Sequence, residues 1–132
     1  MSRVPDPGRR LNGLPRAVAQ AVQAAEDRKA RGLMVLDLRP VSDTADFFII
    51  ASGTSDAHVR GIADAVVDAL GKLSNDPHHV EGVQGGRWVL LDYVDFMVHV
   101  FHPEARTFYQ LERLWGDAPS HVLEPEGAAQ QA

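Results

Sequence analysis

Cysteine is absent from the chain, which excludes disulfides, thiolate nucleophiles, zinc–thiolate sites and iron–sulfur clusters, and fits a reducing compartment. No stretch approaches the roughly 18 consecutive apolar residues of a membrane span. Arg3, Arg9 and Arg10 lie near the N-terminus, but the apolar run of a signal peptide does not follow them, so the expected location is cytoplasmic. An excess of positive charge is missing as well: 13 Lys and Arg stand against 18 Asp and Glu, a formal charge of −5. Affinity for phosphate backbones comes from clustered cations that release counterions, so direct DNA or RNA binding is not expected. An acidic protein can still join a nucleic-acid machine by docking on one of its basic proteins, where opposite charge speeds encounter and fixes orientation.

What is present reads as one ordinary globular domain. The chain has 132 residues, 45% apolar and 23% charged, and a domain of that size buries about two-thirds of the surface its unfolded chain exposes. Residues 1–15 carry Pro5, Pro7, Gly8, Gly13 and Pro15 with few large apolar groups and read as a flexible arm. A domain at 16–118 follows, and 119–132, rich in Pro, Gly, Gln and Ala, reads as a flexible tail.

Within the domain, 16–31 is Ala-rich, with Val18, Ala21, Val22 and Ala25 on one stripe and Gly32 fit to end a helix in a left-handed cap. The runs LMVLDLR at 33–39 and ADFFIIAS at 45–52 read as strands. Ser55 caps a second helix in which Val59, Ile62, Ala63, Val66, Val67, Leu70 and Leu73 recur at a spacing of three and four. Residues 75–86 read as an irregular connection, 87–93 and 96–102 as strands joined by a tight turn at Val94 and Asp95, and 104–115 as a last helix. Two short turns favour antiparallel hairpins and a crossover helix favours parallel pairing. The expected fold class is α/β, a mixed sheet of about four to five strands covered by helices.

Four segments are candidates for chemistry. Ser52-Gly53-Thr54-Ser55, at a strand-to-helix junction, presents helix amides that could hold an anion, yet it lacks both the Gly-Lys-Ser/Thr of a P-loop and the G-x-G-x-x-G spacing. Asp92 and Asp95 are the best pair for a Mg-dependent nucleotidyltransferase, the alternative function. Three apart across a turn, however, they are directed to different places. His78, His79 and Glu81 offer a metal-like cluster, but adjacent histidines on an extended chain point to opposite sides. His99, inside an apolar run, fits a hydrogen-bonded core histidine better than a base. No catalytic residue, metal or cofactor is expected.

Trp88 is the remaining anomaly. It follows Gly85-Gly86-Arg87 and shares one strand face with Leu90 and Asp92, with Glu81 shortly upstream. A large aromatic ringed by carboxylates is what an interface anchor looks like, although composition alone favours a core cap.

The stretches SDTADFFIIASGTS at 42–55, Glu81-Gly82, WVLLDY at 88–93 with Asp95, HVF at 99–101, Arg106, Phe108-Tyr109, Leu111-Glu112 and Leu114-Trp115 resemble the Iojap family, the bacterial ribosomal silencing factor S proteins. The resemblance implies a fold similar to nucleotidyltransferases without their working active site, and no enzymatic activity. It implies a translation repressor of nutrient limitation, which binds protein fourteen of the large ribosomal subunit at the subunit interface and keeps the small subunit from joining. A homodimer of the free protein is implied too, for which the apolar faces of 87–93 and 96–102 are candidates. Carried onto this chain, the partner-binding residues are Glu81, Gly86, Trp88, Leu90, Asp92, Tyr93 and Asp95. Val94 stands where Gly is commoner in the family.

Overall fold

The structure, a computed structural model, describes residues 13–41, 43, 45–104 and 120–122. Its elements are α1 (Arg16–Asp27), β1 (Arg31–Asp37), β2 (Phe47–Ser52), α2 (Asp56–Gly71), β3 (His79–Glu81), β4 (Trp88–Asp92), β5 (Phe96–Phe101) and β6 (Ser120–Val122). The strands form one mixed sheet in the order β3-β4-β5-β2-β1-β6. Every pairing is antiparallel except that of β2 with β5, which runs parallel from Phe47↔Phe96 to Ser52↔Phe101.

Strand alternation gives the sheet two chemically distinct faces. Leu33, Val35, Phe47, Ile49, Ala51, Val89, Leu91, Phe96, Val98 and Val100 turn to one side and pack with Val18, Val22, Val59, Ile62, Val66 and Leu70 of the two helices. Burying each of these larger helix side chains contributes about 1.5–3 kcal/mol. The i, i+3, i+4 spacing of the α2 set is therefore what docks that helix on the sheet. Leu36, Leu38, Ile50 and Phe101 form a second cluster, with Met34, Phe48 and Trp88 packed against it.

Helix α2 starts at Ser55, whose hydroxyl accepts from the His58 amide at 3.0 Å, an N-cap worth about 1 kcal/mol. Both helices end in a left-handed residue that is not glycine. Lys29 (φ 61°) lets Ala30 N donate to Ala25 O, and Ser74 (φ 58°) lets Asn75 N donate to Leu70 O. This corrects the expectation for α1: the helix stops at Asp27 and Lys29 makes the turn. Gly32 (φ 55°) instead lies inside β1, where the register with β2 slips between Arg31 and Met34, the signature of a glycine bulge.

Two further corrections concern strands. The connection at 75–86 contains β3, an edge strand exposed at all three residues. Residues 120–122, assigned by composition to the flexible tail at 119–132, form β6 beside β1. With them the sheet has six strands. The helix expected at 104–115 lies outside the described residues beyond Glu104.

Candidate functional site

The face opposite α1 and α2 is built in cross-strand rows. Directly opposed residues of neighbouring strands share a face, so the pairings define His79–Asp92–Met97–Phe48–Leu36, then Glu81–Leu90–His99–Ile50–Met34, then Trp88–Phe101–Ser52. Four of the expected site residues, Glu81, Trp88, Leu90 and Asp92, are thereby brought onto one surface. Ile50 and Phe101 are fully buried beneath it. Phe48, Trp88, Leu90, Asp92 and Met97 are half-buried, and His79 and Glu81 stand exposed at the rim.

The aromatic groups on this face hold one another. Trp88 stacks on Phe101 with ring centroids 5.1 Å apart and planes 27° apart, and its indole Nε1–H donates to His99 Nδ1 at 3.1 Å. His99 is 4% exposed, tilted against Phe48 at 4.5 Å. Burial pushes its imidazole down to about 4, so the ring is neutral near pH 7. With Nδ1 accepting, the ring proton sits on Nε2, which has no hydrogen-bond partner among the described residues.

The rim is acidic and tied. Glu81 Oε2 lies 2.6 Å from His79 Nε2, and Asp92 Oδ1 accepts from the Val94 amide at 2.8 Å. Two glycines shape the loop that returns the chain from β3 to Trp88. At Gly82 (φ 82°) a Cβ would overlap the Trp88 carbonyl oxygen. At Gly86 (φ 69°), which is buried, it would meet Asp56 Cβ at 2.9 Å. Gly86 is thus a close-packing position against α2 and offers no surface to a partner.

Tyr93 and Asp95 do not join this surface. Tyr93 has the parity of Val89 and Leu91, is 6% exposed on the helix side and stacks on Phe96 at 4.9 Å. Burial, helped by the charge of Asp76, pushes its hydroxyl up to about 12. Asp95 lines a cavity of about 200 Å³ with Pro15, Val18, Asp46, Phe47 and Asn75 at the start of α1. Asp92 and Asp95 therefore serve opposite sides of the sheet, and the acid pair that nucleotidyl transfer would need does not converge.

At the Ser52–Ser55 junction the Gly53 and Thr54 amides are engaged within the chain. Gly53 N donates to Phe101 O at 2.9 Å and Thr54 N to His58 Nδ1 at 2.8 Å, while the His58 amide is held by Ser55. The junction is a strand-to-helix turn clamped by His58, whose Nε2 also reaches Arg28 O at 2.7 Å. No local sequence pattern signals the clamp, because it joins residues thirty positions apart.

Known proteins are similar to this chain in sequence and in fold. The family described as "Ribosomal silencing factor during starvation" matches residues 12–132. A ribosomal silencing factor of Halalkalibacterium halodurans is 41% identical over 104 residues, 79% of this chain and 89% of that protein. A Mus musculus protein named for mitochondrial assembly of the ribosomal large subunit is 31% identical over 97 residues, 71% of this chain and 42% of its own. A crystal structure of a protein from Chromobacterium violaceum superposes with a TM-score of 0.74 at 32% identity, covering 86% of this chain and 93% of that one.

Proposed function

The chain belongs to the ribosomal silencing factor family, and on that premise we propose that it represses translation by occupying the subunit-interface side of the large ribosomal subunit. Its contact there is protein fourteen of that subunit, and the surface it uses is the face bearing Trp88, Leu90, Asp92 and Glu81. The observation that carries this reading is the make-up of that face: a half-buried tryptophan on a buried aromatic floor, with carboxylates at its edge. An aromatic anchor in a well-packed surround is the anatomy of an interface hot spot. Ribosomal proteins are generally basic, and Glu81 and Asp92 supply the complementary sign. The name of the mouse relative points to the same subunit.

The mechanism is steric. A domain roughly 30 Å across fills space that the small subunit must enter, so repression draws only on binding free energy. No bond is made or broken, and no residue acts as acid, base or nucleophile.

Sucrose-gradient sedimentation of purified subunits tests this. Added protein is expected to keep the subunits apart and to migrate with the large one. Trp88→Ala is expected to weaken that association by about 2 kcal/mol or more while its melting stays cooperative. Full-size ribosomes forming undiminished in the presence of saturating wild-type protein would refute the function. Undiminished co-migration of Trp88→Ala would refute the site.

A further inference from the structure

A docking tryptophan is most effective when its ring is already held in the bound orientation, because the partner then orders nothing. The stack on Phe101 cannot do this alone. A stack sets the plane of the indole, but a half-turn about χ2 keeps that plane while exchanging the nitrogen edge for the opposite one. The direction is set by the hydrogen bond from Nε1 to His99 Nδ1, which turns the nitrogen edge toward β5.

His99 is itself firmly placed. It sits opposite Leu90 in the β4–β5 ladder, diagonal to Trp88, with Phe48 tilted against one side and Phe101 nearly parallel at 6.2 Å. The histidine is an expensive choice for this position, because its Nε2–H finds no acceptor among the described residues and a buried unpaired donor is destabilising. A leucine or phenylalanine would fill the same space in this apolar row without that penalty. What only the histidine provides is an acceptor aimed at the indole.

Resting on the docking reading above, we propose that His99 is the positioning residue for Trp88: its Nδ1 fixes the indole in the orientation that meets the large subunit. His99 does not touch the partner. It acts through the tryptophan alone.

The test combines binding of purified large subunits with NMR of the free protein. The Trp88 indole N–H signal is the one missing in Trp88→Phe. In the wild type it is expected to exchange slowly with solvent. In His99→Phe it should exchange fast, and affinity for large subunits should fall about tenfold while melting stays cooperative. His99→Asn, whose side-chain oxygen can occupy the place of Nδ1, should recover slow exchange and most of the affinity. Wild-type affinity in His99→Phe, with affinity lost in Trp88→Ala, would overturn the positioning role and leave the docking face standing. Slow exchange in His99→Asn without recovered affinity would also overturn it. Wild-type affinity in Trp88→Ala would bring down the docking reading itself. Should His99→Phe fail to fold, fast exchange of the Trp88 indole in the wild type is sufficient to refute the hydrogen bond and the role with it.

Discussion

His99 links the acid stability of the protein to the proposed docking face. Its imidazole, at about 4 because burial disfavours the charged form, lies below the roughly 6.5 of an unfolded histidine. Between those values the unfolded chain holds a proton that the folded chain does not. Stability therefore rises with pH through this window, and it is lost as the pH falls from about 6.5 toward 4. The expected loss between pH 7 and pH 5 is about 2 kcal/mol, read as a lower urea midpoint, and His99→Leu should flatten that dependence. Burial of His99 in an apolar run was legible from the sequence, since its neighbours at 98, 100 and 101 are all large and apolar. Its partner was not. The Trp88–His99 bond depends on strand register, which places the two residues diagonally across a hairpin, and no local pattern states a register.

At the scale of elements, the β4–β5 hairpin turns through an unfavourable residue. Asp95 N donates to Tyr93 O at 2.9 Å around Val94 at φ 74°, a three-residue γ-turn that is rare and strained with positive φ at its centre. A β-branched residue is among the least suited to it, and Val94 is 57% exposed, so it gains little burial in return. Val94→Gly is expected to stabilise the fold by about 1 kcal/mol, raising the melting temperature by about 4 °C. Val94→Ala, which keeps a Cβ, should not match it. The departure at Val94 was visible in the sequence, and so were the faces of α2, β2 and β5, because long apolar periodicity overrides local ambiguity. Period-two counting from Trp88 also separates Tyr93 from Leu90 and Asp92, so its place in the core was within reach. β3 was not legible. Three exposed residues between a proline and a glycine carry no apolar pattern, and only pairing with β4 makes them a strand. Gly86 resembled a surface glycine for a similar reason, since the α2 atoms that press on it come from thirty residues earlier in the chain.

At the scale of the molecule, charge and topology act together. The chain carries −5, and Glu81 puts part of that charge at the exposed rim of the docking face. Glu81→Lys is expected to slow association with large subunits about tenfold at low salt, with the difference shrinking as salt screens it; stopped-flow rates at two ionic strengths would measure both. The sheet is assembled from two sequence-local antiparallel pairs, β1–β2 and β4–β5, joined by the single parallel pairing of β2 with β5. That seam closes around the whole of α2, so its loop-closure entropy is lost before the contacts between β2 and β5 repay it. The proposed docking face straddles it, with Phe48 and Ile50 on one bank and Trp88, Met97 and His99 on the other. During synthesis, a nascent chain that lacks β5 therefore carries only the Phe48 and Ile50 bank of that face, and the surface comes into being when the two banks meet.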